Sequence, residues 1–78
     1  MAAGRYPVVA GKAVLRALQR SGFTLRNVRG SHHVLTQPGP PARMVSVPVH
    51  GNKPLKVGTL SAILEQAGLS LEEFIALL

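Results

Sequence analysis

The spacing of apolar residues predicts a first amphipathic helix near the start of the chain. Val14, Leu15 and Leu18 recur at intervals of three and four residues, which is typical of one buried helix face over about residues 11–19. Gly22 comes shortly afterwards, and a glycine ends a helix readily because it tolerates a positive φ. Three cations spaced four residues apart form a basic stripe on another face of this helix: Lys12, Arg16 and Arg20.

The same periodicity predicts a second helix in the last third of the chain. Thr59 is a good N-cap residue, and Gly68 is placed to end the helix. Ser70 and Glu73 then match the Ser-x-x-Glu capping box, which predicts the start of a short last helix. The apolar positions of the second helix follow the spacing i, i+3, i+4 and i+7: Leu60, Ile63, Leu64 and Ala67.

Three strands are predicted between the two helices. Residues 23–28 alternate weakly, residues 32–37 form a second run, and residues 44–49 alternate most clearly, with three valines on one side. Residues 29–31 form a turn, and the proline-rich residues 38–41 form a stiff loop that cannot pair in a sheet. Connections this short favour an antiparallel meander.

The order of helix, three strands, helix and short helix predicts an α+β fold. We expect a two-layer α-β-β-β-α arrangement, with a three-stranded antiparallel sheet carrying both helices on one face. The other face of the sheet is then open to solvent or to a partner. This order matches the architecture of double-stranded-RNA-binding domains (dsRBD-like), which by itself does not establish function. We expect residues 1–10 to be a flexible arm and residues 11–78 to be a single domain.

The distribution of charge favours a polyanionic partner over a merely basic surface. The chain of 78 residues has a formal net charge of +6. All nine Lys and Arg residues lie within residues 1–56, which contain no Asp or Glu, whereas the three acidic residues lie within residues 57–78. The chain has no cysteine, which fits a reducing cytosol. It also has no apolar run long enough to span a membrane and no signal-peptide pattern, so we expect a cytoplasmic protein without membrane contact.

The candidate chemistry centres on histidine. His32 follows the Gly30-Ser31 turn and so stands at the mouth of the second strand. Neighbouring strand residues point to opposite faces, so His32 and His33 cannot both face one site. Antiparallel pairing would bring His50, after the third strand, to the same end of the sheet. That inference depends on the register, which the sequence does not fix.

The loop before the second helix is a candidate anion site. A helix N-terminus offers unpaired N–H groups and a favourable dipole for phosphate, and two lysines precede this one. Simple capping by Thr59 and an ordinary solvated face on the first helix are the alternatives. The candidate contacts to an RNA backbone are Lys12, Arg16, Arg20, Arg26, Arg29, Lys53, Lys56 and Thr59.

We expect neither a metal nor another cofactor. A two-metal nuclease needs carboxylates, which the basic part of the chain lacks, and a Ser-His-Asp triad fails because there is no Asp. Strand alternation disfavours a zinc site built from the three histidines, and Glu72 and Glu73 are placed to cap the last helix. RNA brings its own nucleophile, the 2′-hydroxyl, so an imidazole beside it with cations around the phosphate would suffice.

The motifs, taken in order, resemble the HicA (YcfA-like) toxin family over about residues 11–75. They are Gly22-Phe23, Gly30-Ser31-His32-His33, Val47-Pro48-Val49-His50, Lys56-Val57-Gly58-Thr59-Leu60 and the segment 63–69. The resemblance implies a dsRBD-like fold and an mRNA interferase, a ribonuclease that blocks translation. It also implies a HicB-type antitoxin that binds the toxin and covers its histidine.

The resemblance maps the family's catalytic histidine to His32, with Gly30 and Ser31 in the preceding turn. His50 maps to the Pro-x-His position and has a possible supporting role. The proline-rich loop 38–41 departs from relatives with a simpler hairpin, which leaves contacts made by this loop open. Two other functions remain open: a non-catalytic RNA-binding module, and an interaction subunit that docks an acidic partner protein.

Overall fold

The computed structural model describes residues 5–78 and confirms the expected fold class. The sheet is a three-stranded antiparallel meander in the order β1-β2-β3, with the helices on one face. Each helix and strand begins within one or two residues of the position that the sequence predicts. The elements are α1 (Gly11–Arg20), β1 (Thr24–Arg29), β2 (His32–Gln37), β3 (Arg43–Pro48), α2 (Val57–Ala67) and α3 (Leu71–Ala76).

The core lies between the helices and one face of the sheet. Leu35 on β2 and Val45 and Val47 on β3 are fully buried beneath the helices, and both α1 and α2 pack on β3. The predicted apolar faces of the helices supply the other side of the core. Its helical members are Val14, Ala17, Leu18, Leu60, Ile63, Leu64, Ala67 and Phe74.

The prediction that Thr59 caps α2 is wrong. The helix begins at Val57 and its N-cap is Lys56, which makes no side-chain cap hydrogen bond and whose carbonyl accepts from the Leu60 N–H. Thr59 is therefore the third residue of the helix. The helix starts early because Leu55, the residue before the N-cap Lys56, donates its N–H to the Val9 carbonyl at 2.8 Å. This pairing of distant segments fixes where α2 begins, and local capping preference does not reveal it.

The expected arm falls partly outside the described residues, since nothing is described for residues 1–4. In the remainder, Tyr6 and Val9 pack against the core, and the Tyr6 hydroxyl lies 3.4 Å from Ser61 Oγ on α2. Ala10 also forms an isolated antiparallel bridge with Pro54. The segment just before α1 therefore packs against the core and pairs with the loop before α2, and the flexible arm stays a prediction.

The short last helix has the predicted capping box. Ser70 Oγ accepts a hydrogen bond from the Glu73 N–H at 3.0 Å, and Glu73 Oε1 accepts one from the Ser70 N–H at 2.8 Å. The fully buried Phe74 then anchors α3 to the core. Glu73 is therefore engaged at a helix end, on an element that covers the sheet from the helix side.

Gly11 allows α1 to approach the end of β3 closely, which gives a first testable prediction. In Gly11→Ala the added Cβ would overlap the Pro48 carbonyl oxygen and press on Val49. Overpacking of this kind costs about 1–3 kcal/mol of folding free energy. Gly58→Ala in α2 is the matched control, because nothing lies within 4 Å of a Cβ there, and it should gain about 0.4–1 kcal/mol. Urea unfolding midpoints measure both; similar shifts in the two variants would contradict the close approach.

Candidate functional site

A two-residue turn presents His32 at one end of the sheet. Gly30 and Ser31 connect β1 to β2, and Arg29 pairs directly with His32 across the turn. Gly30 has φ +56°, a region that glycine reaches without strain and that two-residue hairpin turns require at their first central position. The Ser31 carbonyl accepts a hydrogen bond from the Val49 N–H at 2.7 Å, which ties the turn to the chain just beyond β3.

The two adjacent histidines lie on opposite faces of the sheet, as predicted. His33 pairs with the buried Val47, so it shares the face that the helices cover, and it is half-buried. His32 pairs with Pro48 on the other face and is exposed. Since cross-strand partners share a face, the burial of Val47 leaves His32 on the open side, where a polymer can reach it.

The open face is a small polar and basic surface around His32. It consists of the residues whose cross-strand partners are not covered by the helices. Apart from the half-buried Val34, Thr36 and Pro48, its residues are exposed. Within the described residues it carries cations, neutral polar groups and three apolar residues, but no carboxylate. Its members are Thr24, Arg26, Asn27, Arg29, His32, Val34, Thr36, Met44, Ser46 and Pro48.

A β-bulge in β1 directs a second arginine onto this open face. The register shifts between Leu25 and Asn27, so Arg26 is an extra residue opposite β2. Its Nε donates a hydrogen bond to Thr36 Oγ1 at 3.1 Å, which holds the guanidinium over the open face. The bulge also explains why residues 23–28 alternate only weakly in the sequence, since one inserted residue interrupts the period of two.

His33 has an orienting contact that the sequence analysis did not identify. Its Nδ1 lies 3.3 Å from the Ser31 carbonyl oxygen. If Nδ1 carries the proton and donates it to this carbonyl, Nε2 is the free acceptor of the ring. The only sequence signal for such a contact is the position of His33 two residues after a turn serine.

His50 lies at the same end of the sheet as His32, as antiparallel pairing predicted, but it faces a different recess. His32 pairs with Pro48, and His50 follows Pro48 by two residues. The recess is an open cleft of about 340 Å³ at the entrance of α2. It brings together the predicted loop lysines with Thr59, and its lining residues are Pro48, His50, Lys53, Pro54, Leu55, Lys56 and Thr59.

The basic stripe of α1 is separate from the open face. Lys12, Arg16 and Arg20 are exposed as predicted, but α1 belongs to the layer on the other side of the sheet from His32. Arg20 Nη1 also donates to the Leu77 carbonyl at 2.6 Å, so this arginine helps to hold the end of the chain. The predicted RNA contacts therefore fall into three groups: the open face, the α2 entrance and the α1 stripe.

Neither a cluster of metal ligands nor a membrane-spanning helix occurs among residues 5–78. No three His, Cys, Asp or Glu side chains lie together in an arrangement able to hold a metal ion, so His32, His33 and His50 do not form such a group. None of the described helices is long and apolar enough to cross a membrane.

A comparison with known protein families identifies the family of this chain. The family model of the HicA toxin of bacterial toxin–antitoxin systems matches residues 11–69. The chain belongs to the HicA toxin family. A comparison with curated proteins gave no match. The residues matched to HicA run from the first residue of α1 to just past α2, so they include the hairpin turn, the open face and the α2 entrance. Membership in a toxin–antitoxin family implies an antitoxin partner.

The turn before His32 gives a prediction about local backbone strain. Gly30→Ala should destabilise the protein by about 1–2 kcal/mol, because a Cβ is disfavoured at positive φ. No side chain or backbone lies within 4 Å of the new Cβ, so strain is the whole expected effect. Gly30→Asn should cost less, since asparagine tolerates this conformation. Urea unfolding of the two variants checks the order, and an equal cost for both would contradict the turn geometry.

Proposed function

We propose that this HicA toxin is an mRNA interferase, a metal-independent endoribonuclease that inhibits translation, and that His32 is its catalytic residue. The observation that carries the proposal is the position of His32. It is exposed on the open face and pairs with Arg29, on a surface where the described residues include cations and no carboxylate. Such a surface attracts a polyanion to an imidazole that is free to contact it.

The proposed chemistry uses the nucleophile that RNA carries. His32 accepts the proton of a ribose 2′-hydroxyl while the 2′-oxygen forms a bond to the adjacent phosphorus. The bond from phosphorus to the 5′-oxygen of the next nucleotide breaks, and that oxygen leaves with a proton from water or from a second acid. The products are a 2′,3′-cyclic phosphate and a free 5′-hydroxyl. Arg29 is placed to stabilise the charge that develops on the phosphoryl oxygens.

The α2 entrance is the proposed supporting site for the RNA backbone. Lys53, Lys56 and His50 line one cleft with the first turn of α2, where backbone N–H groups face an anion favourably. Because the cleft is at the same end of the sheet as His32, it can hold phosphates that flank the cleaved bond. His50 is the candidate there for the second acid, and Gly30 and Ser31 fix the position of His32 through the turn.

His33 is the second candidate for the proton-transfer group. The contact between its Nδ1 and the Ser31 carbonyl favours it, since an oriented imidazole with a free Nε2 is a typical general base. Its half-buried position on the helix side counts against direct access to a polymer. The two adjacent histidines therefore form a matched pair of variants.

His32→Ala should abolish RNA cleavage and growth arrest, whereas His33→Ala should retain cleavage. Loss of positioned proton transfer lowers the rate by about 10² to 10⁴-fold. The measurement is cleavage of a single-stranded RNA in the presence of chelator, with circular dichroism showing that both variants fold. Normal cleavage by His32→Ala, or loss only in His33→Ala, would contradict the assignment of His32.

The affinity for RNA should fall steeply as salt rises. For single strands, the slope of log affinity against log salt changes by about 0.7 for each phosphate that a cation neutralises. In the inactive His32→Ala background, Arg29→Ala should reduce the slope by about that amount. Arg5→Ala, which removes an equal charge from an exposed position outside the sheet, should not. Fluorescence anisotropy with labelled RNA measures both, and equal slopes would remove Arg29 from the interface.

The proposed partner is a HicB-type antitoxin that covers the open face and thereby blocks His32, and the proposed location is the cytoplasm. Membership in the HicA family supports both. A non-catalytic RNA-binding module is the rival function. It is favoured by the position of the α1 stripe, whose cations lie on the other side of the sheet from His32. That module would bind RNA with the same salt dependence but would cut nothing, so the cleavage assay separates the two functions.

A further inference from the structure

Arg26 occupies a built position on the open face. The β1 bulge sets it there as an inserted residue, and its Nε–H is held by Thr36 Oγ1 at 3.1 Å. A guanidinium has five N–H donors, so the two terminal amino groups remain for a ligand. Planar guanidinium groups suit phosphate oxygens, which they bind through paired hydrogen bonds.

The distance from Arg26 to His32 sets what the two residues can do together. Thr36, which holds the guanidinium, is four residues beyond His32 on the same strand and the same face. At the usual rise of a strand, four residues span about 13 Å. This spacing of the two backbone positions is longer than one nucleotide, which favours contact of Arg26 and His32 with different phosphates.

We propose that Arg26 is a subsite residue that binds an RNA phosphate removed from the cleaved bond. The RNA then lies along β2 as a single strand that must be longer than a dinucleotide. This inference rests on the proposed ribonuclease function and adds to it a substrate class and a residue that reads chain length. Thr36 is the positioning residue that holds the Arg26 side chain in place.

The composition of the open face agrees with an extended single strand. Proteins grip duplex RNA across successive minor grooves over many base pairs. The three strands of the open face have six residues each, a length of about 20 Å, which suits a short single strand better. The aromatic residues Tyr6, Phe23 and Phe74 all belong to the core or pack against it. Among the described residues, the open face therefore carries no Phe, Tyr or Trp ring for bases to stack on, and its affinity depends mainly on phosphate contacts.

The test compares two substrates of different length. Wild type, Arg26→Ala and Arg5→Ala are assayed with a dinucleoside monophosphate and with a single-stranded decanucleotide that contains the same cleavable step. Arg26→Ala should lower kcat/KM for the decanucleotide roughly tenfold or more, which is the size of a charge-assisted hydrogen bond. It should leave kcat/KM for the dinucleotide unchanged. Arg5→Ala should change neither, and Thr36→Val should shift the decanucleotide value in the same direction as Arg26→Ala.

Binding of an uncleavable 2′-O-methyl decanucleotide, measured in parallel, separates this inference from the proposed function. If the wild type cuts neither substrate but Arg26→Ala still weakens binding relative to Arg5→Ala, the ribonuclease proposal fails and the subsite stands. If Arg26→Ala binds as tightly as Arg5→Ala, the subsite is overturned whatever the cleavage result. Equal losses of kcat/KM on both substrates would also overturn it, because Arg26 would then act at the cleaved bond.

Discussion

The burial of Leu35 and Val47 fixes the direction of every side chain on β2. Leu35 follows His33 by two residues on β2 and so shares its face, and Val47 is the cross-strand partner of His33. Both Leu35 and Val47 are fully buried under the helices. A shift of the register by one residue would expose them and turn His32 into the core, at a cost of several buried methyl groups. The hydrophobic core of this HicA toxin therefore places its exposed imidazole without any direct contact to it.

The same constraint divides the positive charge of the chain between surfaces. The sheet separates Arg26 and Arg29 from the stripe on α1, while the lysines at the α2 entrance lie at the end of the sheet that carries both His32 and His50. On the proposed function, an RNA on the open face would contact Arg26, Arg29 and the lysines at the α2 entrance together. The α1 stripe would lie outside that contact.

Most of the fold follows from periodicity, because burial of one face imposes a regular period on each helix and strand. Val14 and Leu18, or Leu60 and Leu64, repeat at helical spacing and are buried as that spacing predicts. The opposite orientation of His32 and His33 follows from strand alternation in the same way. Periodicity does not predict three features: the start of α2, the contacts of Tyr6 and Val9, and the bulge at Arg26. The first two depend on contacts between distant segments, and the bulge depends on how β1 pairs with β2, none of which local propensity encodes.

The central claim is that RNA contacts the open face at His32, and side-chain NMR tests it most directly. Labelled protein is titrated with an uncleavable 2′-O-methyl RNA, and signals of the His32 ring and the arginine Nε–H groups are followed. The account predicts the largest changes at His32, Arg26 and Arg29. Changes confined to Arg16 and Arg20 on α1, with the His32 ring unaffected, would contradict it.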